Sequence, residues 1–543
     1  MKYEINLAIM KKQISFSLVI FFLHISFAFA QNPLVKQWDK RFGGTNAEEI
    51  SVVKQTSDGG YILGGYSDSP IGGDKTQINI GSWDFWIVKS DSLGNKQWDK
   101  NFGGTSHDWL FSLEQTFDGG YILGGYSYSA ASGDKTQNTW GGYDYWVIKT
   151  DSLGNQLWDK DIGGIGDDFL YSIQQTSDGG YILGGFSGSP ISGDKTQNTW
   201  GGKDYWMVKI DSIGNKQWDK NFGGTDNDEL RSIQQTADGG YILGGYSYSL
   251  TIGGDKTQNG WGGIDYWIVK TDSLGNKQWD KDFGGTDYDW FNFLQQSTDK
   301  GYIIGGKSRS GISGDKTQNT QGNHDYWIVK TDSLGNKEWD KDYGGSFDDE
   351  FYFVQQTDDG GYLLTGDSYS PISGDKTENN LGIEQVWMVK TNSLGDFQWD
   401  KTIFTNGHDE QGLAIQSKDF CYVMANKTNS GIGGYKTQVS WSNSYDYWIV
   451  KFCDTTLTPT FNIQNSAFNI SIFPNPTSNF IYFNKENLTT EIFDLTGRKL
   501  LHQKINNKQL NISNFASGVY FLKVITMNIG NNDAVQTFKI LKQ

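Results

Sequence analysis

Histidine is scarce in this chain, with five in 543 residues. His24 lies in an N-terminal apolar run and His502 near the C-terminus, while His107, His324 and His408 are read as sharing no equivalent position. No Cys-His pair and no nucleophile elbow occurs, so catalysis of those kinds is not expected. Positive charge is short as well: the formal net charge is −17. Residues 1–30 and 468–543 are net basic, so the acid is concentrated between them, and such a surface repels nucleic acid and anionic lipid. Cations and neutral polymers such as glycans stay open as ligands. After the N-terminal run no apolar stretch is long enough to span a bilayer, so no transmembrane segment is expected in the mature chain. The composition also holds too little Ala, Leu and Glu for a helical protein; 69 Gly, 21 Trp and 28 Tyr suit short strands and tight turns.

What is present is a repeat of roughly 60 residues, a length that by itself points to a solenoid or propeller. Trp-Asp-Lys recurs at Trp38, Trp98, Trp158, Trp218, Trp279, Trp339 and Trp399. An aromatic-Trp-aliphatic segment recurs at Trp86, Trp146, Trp206, Trp267, Trp327, Trp387 and Trp448. In the second unit, strands are expected at 110–116 and 120–127 around Phe117-Asp118-Gly119, and at 144–150 and 156–160 around a five-residue turn beginning at Asp151. Gly in such turns reaches positive φ at no Cβ cost. Two hairpins per unit, with strand cores apolar on both faces and no 3.6-residue stripe, predict an all-β, seven-bladed β-propeller of four-stranded blades over residues 31–454.

The ends of the array are complementary. The chain enters with a lone Trp-Asp-Lys strand at 37–41 and leaves with a Tyr447-Trp448 strand that lacks one, so the visible repeat is offset from the blade. The first complete blade is expected at about 49–101, and the last is expected to join 410–453 to the N-terminal strand, which removes two open edges. The only two cysteines, Cys421 and Cys453, fall on neighbouring strands of that last blade, where a disulfide would add to its stability; two unpaired thiols are the alternative.

Lys11 and Lys12 precede the apolar run 14–29, which ends Ala28-Phe29-Ala30 before Gln31. This order reads as a secretory signal peptide over 1–30, cleaved between Ala30 and Gln31. Residues 455–468 read as a linker. Beyond them come Ile472-Phe473-Pro474-Asn475-Pro476, Ile492-Phe493-Asp494-Leu495-Thr496-Gly497-Arg498, Gly518-Val519-Tyr520 and a Lys-rich end, a pattern of short strands and polar turns that suggests a small β-sandwich over 469–543. These motifs, in this order, resemble the C-terminal sorting domain of the type IX secretion system of Bacteroidetes. That resemblance implies Sec export, the type IX machinery as a partner, and release or attachment at the outer-membrane surface. The turn Asp151-Ser152-Leu153-Gly154-Asn155 with its following Trp158 is similar to the tryptophan-docking motif of quinoprotein-type propellers, from which it departs by one residue between Asp and Gly; that likeness implies fold only, without a quinone. The same turn resembles the acceptor of Bacteroidetes O-glycosylation, which implies modification at Ser92, Ser152, Ser212, Ser273 and Ser333.

Candidate site residues repeat with the blades. Glu48, Asp108, Asp168, Asp228, Asp289, Asp349 and Asp409 precede the inner strand and would ring one mouth of the channel, where a cation such as calcium would relieve their repulsion. Alternatively each accepts N–H bonds in its own loop. The long loop carries Asp134, Asp194 and Asp255, with Trp140, Trp200 and Trp261 after them; exposed Trp beside polar groups suits stacking on sugar rings, and buried anchoring is the other outcome. No cofactor is otherwise expected. The chain is expected to be a monomeric exported propeller that binds a polymer or protein through its loop face. A glycan-cleaving enzyme on this scaffold and a structural surface-layer protein are the alternatives.

Overall fold

The computed structural model describes residues 34–454, 472–473, 479–483, 486, 488–494, 498–516, 518–526 and 534–542. The signal peptide, its cleavage site, the linker 455–468 and the Pro-Asn-Pro and Leu-Thr-Gly motifs lie outside the described residues. Two compact units are formed, Met1–Leu457 and Thr458–Gln543. No α-helix occurs among the described residues.

The first unit is seven four-stranded antiparallel sheets. The first blade runs from its inner strand Glu48–Gln55 through Tyr61–Ser67 and Asp84–Ser90 to its outer strand Lys96–Phe102. Five blades of the same plan follow, with inner strands opening at Asp108, Asp168, Asp228, Asp289 and Asp349. In the seventh, Asp409–Gln416, Tyr422–Thr428 and Asp446–Asp454 are completed by the N-terminal strand Leu34–Phe42. Leu34 pairs with Asp454 and Phe42 with Tyr447, so the outer strand of the last blade comes from the other end of the chain. In the second blade the inner strand Asp108–Gln115 begins two residues earlier and ends one residue earlier than the expected 110–116, and the outer strand Gln156–Ile162 runs two residues past the expected 160, because Asp108, Trp109, Asp161 and Ile162 still pair in the ladders.

The core is not one cluster but seven, each made by the facing sides of two successive blades. Ile122, Tyr145 and Val147 of the second blade, for example, pack against Leu170, Leu183, Trp206 and Val208 of the third, and Ile449 of the seventh against Val53 and Trp86 of the first. This is why the middle strands are apolar on both faces. The strand Trp of each blade is fully buried, and its indole N–H is satisfied by the Asp of Trp-Asp-Lys on the adjacent outer strand: Trp146 Nε1 donates to Asp159 at 3.1 Å, and Trp448 Nε1 to Asp39 at 3.1 Å. Burial of Asp99, the equivalent acid of the first blade, would raise its pKa, but hydrogen bonds from Lys96, Thr76 and Trp86 hold it below the usual value.

Neighbouring blades are locked at the rim by the outer-strand Trp. Trp98 meets Tyr121 of the next blade edge-on, with ring centroids 5.8 Å apart. Gly154, at φ 75°, lies so close over Trp98 that a Cβ there would fall 2.9 Å from the ring. Only glycine fits both demands. The ring is also closed by a relay at the inner hairpins. The backbone N–H of Ser57 donates to Gln115 of the next blade, that of Phe117 to Gln175, and so on round to Lys418, which donates to Gln55 of the first blade at 2.8 Å.

In the second unit, the three-stranded sheet Ile472–Phe473, Phe480–Phe483, Gln509–Asn511 and the four-stranded sheet Lys499–Ile505, Leu488–Phe493, Gly518–Thr526, Ala534–Lys542 share one core containing Ile481, Phe483, Ile492, Leu510, Leu522 and Val524.

Candidate functional site

The seven acids that open the inner strands do not line an open channel mouth. All are fully buried; Glu48 engages both oxygens locally, whereas each of the six aspartates engages Oδ2 and leaves Oδ1 without a hydrogen-bond donor. Asp168 accepts from Gly164 N at 2.7 Å and Ser189 Oγ at 3.0 Å; Glu48, Asp108, Asp228, Asp289 and Asp349 accept from the equivalent Gly and from a Ser of their own blade. Asp409 uses Thr405 and Gln385 instead. Through these bonds each acid holds the loop before its strand. Their compensating charge is internal. Lys75, Lys135, Lys195, Lys256, Lys316, Lys376 and Lys436, from the long loop, are all buried. Burial lowers the Lys75 ammonium to about 8 against the opposing pull of Asp84, Glu48 and Asp99. Burial likewise pushes Asp228, Asp289, Asp349 and Asp409 up to about 6.

Trp140, Trp200 and Trp261 are staples between blades. Their indole N–H groups donate to Asp194, Asp255 and Asp315 of the following blade at 3.1, 2.8 and 2.8 Å, and Trp441 does the same to Asp74 at 3.0 Å. The rings stay exposed, at 55, 63 and 53% for the first three. Asp134, Asp194 and Asp255 also cap Gly103, Gly163 and Gly223. The turn serines Ser92, Ser152, Ser212, Ser273 and Ser333 are exposed, each following an Asp whose carboxylate caps the turn, as Asp91 does for Leu93 and Asn95. Cys421 and Cys453 are joined in a disulfide across the second and third strands of the closing blade, their Cα atoms 4.3 Å apart.

A site that the repeat pattern concealed lies on the channel axis. Every inner strand has a β-bulge three residues after its opening acid, such as that between Leu110 and Ser112. A bulge leaves one residue unpaired and re-aims its side chain. The residues so placed are Ser51, Phe111, Tyr171, Arg231, Asn292, Tyr352 and Gln411, one per blade, and all seven line one cavity of about 450 Å³. Almost no two are alike, although the rest of the blade is nearly interchangeable. The cross-strand pairs next to them vary in the same way: Glu49 with Tyr66, Trp109 with Tyr126, Phe169 with Phe186, Glu229 with Tyr246, Trp290 with Lys307, Glu350 with Asp367 and Glu410 with Lys427.

These positions divide the channel wall. Blades one to three supply a continuous aromatic arc: Tyr66 meets Trp83 and Trp109, Trp109 stacks on Tyr143 at 5.6 Å, Phe111 on Tyr126 at 5.0 Å, and Tyr171 on Phe186 at 5.6 Å. Arg231 closes this arc, its guanidinium 4.1 Å from the Tyr171 ring centre and bonded to Glu229 at 2.9 Å and the Tyr246 hydroxyl at 2.6 Å. Blades five to seven add ion pairs beside further aromatics, Trp290, Phe293, Tyr352 and Phe353. Lys307 pairs with Glu350, His324 with Asp348 at 2.9 Å, and Lys427 with Glu49 and Glu410 at 2.7 and 2.8 Å. His107 and His408 hold the same place in their blades, each just before the opening acid, which corrects the reading of the histidines as unrelated. Aligning the seven units and asking which columns differ would have exposed the site.

Residues 471–541 match the secretion system C-terminal sorting domain family. The C-terminal segment is a type IX sorting domain. The chain is accordingly exported by the type IX route to the cell surface or the medium, and no helix among the described residues is long and apolar enough to cross a membrane. Over 215 residues the chain is 26% identical to the regulatory protein FlaEY of Caulobacter vibrioides, covering 36% of this chain and 22% of that protein. Among solved structures, it is similar to the extracellular domain of a hybrid two component system from B. thetaiotaomicron (11% identity, 94% of this chain, 58% of that one, TM-score 0.39). It is also similar to the WD40 domain of Neurospora crassa Pan2 (10% identity, 78 and 97% covered, TM-score 0.42). A third is PorZ, a surface component of the type IX secretion system of Porphyromonas gingivalis (9% identity, 91 and 74% covered, TM-score 0.23). The chain thus spans about a fifth of FlaEY and under two thirds of the first of these structures. The propeller architecture itself rests on the seven sheets and their closure.

Proposed function

We propose that this exported propeller is a binding protein whose ligand, a carbohydrate chain, enters the mouth of the channel. The observation that carries this reading is the variation at the bulge positions: selection for fold alone leaves a repeat uniform, and here uniformity fails at the positions that line one cavity. Aromatic faces stack on the apolar faces of sugar rings, and the carboxylates and Arg231 across the channel offer hydrogen-bond partners to hydroxyls. The loop Trp residues, already spent on neighbouring Asp side chains, are secondary contacts. Screening the purified chain on a glycan array tests this: Tyr171→Ala abolishes the signal while Trp200→Ala leaves most of it, and the converse outcome would reject the channel as the site. The exposed turn serines are the positions where we propose glycan attachment, and the intact mass of secreted protein shows whether they carry it.

A further inference from the structure

The junction between the sixth and seventh blades holds a tight imidazole–carboxylate cluster; the fifth and sixth blades place His324, Asp348 and Glu350 at the same three positions, more loosely, with His324 Nδ1 3.8 Å from Glu350. Glu384 ends the loop before the third strand of the sixth blade; His408 and Glu410 flank Asp409 at the start of the seventh. His408 Nε2 lies 2.5 Å from Glu384 Oε2, and Nδ1 lies 3.1 Å from Glu410 Oε1. One ligand atom from each residue falls within 4.8 Å of the others. Both carboxylates are oriented by tyrosines: Tyr369 donates to Glu384 at 2.7 Å and Tyr445 to Glu410 at 2.9 Å. Such outer hydrogen bonds are what hold metal ligands in place.

Charge makes the same point independently. At the preceding junction, Lys307 neutralises Glu350. The residue at the equivalent strand position of the sixth blade is an acid, Asp367, whose carboxylate accepts from Gln411 N and Gly412 N. Glu49, Glu384 and Glu410 are then left with Lys427 and one imidazole between them. His408 Nδ1 also lies 2.9 Å from the Tyr445 hydroxyl, which in turn donates to Glu410, so the imidazole and both carboxylates form one connected network. The residues matching Glu384, His408 and Glu410 are Trp83, His107 and Trp109 at the first and second blades and His324, Asp348 and Glu350 at the fifth and sixth, so the scaffold accepts other side chains at these positions.

We propose that Glu384, His408 and Glu410 bind a divalent transition-metal ion at the channel mouth. An imidazole with two carboxylates suits zinc or manganese, whereas calcium takes six or more oxygens. Ligand bonds of about 2.0–2.2 Å require the three groups to draw together around the ion. His408 is half-buried and gives the ion access from solvent.

The test uses the untagged full chain, stripped with chelator, dialysed, and titrated with zinc chloride and with manganese chloride by calorimetry, with bound metal counted by mass spectrometry. One ion per chain and a raised melting temperature are expected for the wild type. Both are lost in Glu384→Gln and His408→Ala and kept in His324→Ala. Absence of saturable uptake by the wild type, or equal uptake by both site variants, would overturn the proposal. Melting without metal reports whether each variant folds; if Glu384→Gln does not, the more exposed His408→Ala decides.

Discussion

At the rim of the propeller, Trp98 meets Tyr121 and Gly154 of the next blade, and Trp158, Trp218, Trp279 and Trp339 meet the same two partners in theirs. At the channel, by contrast, the bulge residue changes from Ser51 to Phe111, Tyr171 and Arg231 over four successive blades. The outer-strand Trp and the bulge residue that follows it are 12 or 13 residues apart in every unit, yet one is copied and the other is not. Rim contacts are reciprocal between blades, so a change in one unit damages two interfaces and uniformity is maintained. A bulge residue has no opposite number in the ladder, so pairing does not fix its identity, and the channel is where the chain can acquire function without losing its closure.

This division can be broken most strongly from the shell side. Trp146 is fully buried with its N–H paired to Asp159, so Trp146→Ala is expected to cost about 3–5 kcal/mol in chemical denaturation. Trp109→Ala, in the half-buried channel wall, is expected to cost less than half as much; equal losses would mean that the wall is as structural as the shell. Closure comes next. The disulfide spans 32 residues, and Cys421→Ser with Cys453→Ser is expected to lower stability by ~3 kcal/mol, read as the difference between melts with and without reductant in the wild type and its disappearance in the double variant.

The buried acids give a pH signature. Asp228, Asp289, Asp349 and Asp409 have folded values raised by burial from 3.8 to about 6. A raised carboxyl pKa means that the stability it confers is fully present below the unfolded value and is lost as pH rises through the folded one. The melting temperature is therefore expected to fall between about pH 4 and pH 7, and Asp228→Asn is expected to remove about 1–3 kcal/mol of that slope. A flat profile would show that the buried lysines neutralise the acids throughout. The smallest effect is expected at the exposed pair Lys341–Asp396, 3.0 Å apart, where Lys341→Ala should leave the melting temperature unchanged, since solvent screens such a pair.

Much of the fold was legible because its determinants are periodic. Asp-Gly-Gly turns, the strand Trp and the Trp-Asp-Lys strand each recur, and the missing half-hairpins at 37–41 and 447–451 implied the join that the Leu34–Phe42 pairing makes. The site was less legible for a physical reason. Gly-Asp-Lys-Thr-Gln has the composition of a solvated loop, and nothing local signals that Lys135 is buried beside Asp161; that depends on the loop folding back over its own outer strand. The acid ring was ambiguous in the same way, since a recurring carboxylate reads equally as a ligand or as a loop cap, and the Gly104 and Ser129 donors that engage Oδ2 of Asp108 lie four residues before it and 21 after it. The bulge residues were hidden by the attention that repetition draws to what is constant.

The division between copied shell and variable lining is tested most directly by giving three blades the residue that the first already carries. In the triple variant Phe111→Ser, Tyr171→Ser and Arg231→Ser, the expected result is an intact cooperative melt within a few degrees of the wild type, together with loss of the glycan-array signal. A variant that unfolds, or one that folds and binds as before, would contradict the assignment of binding to the channel.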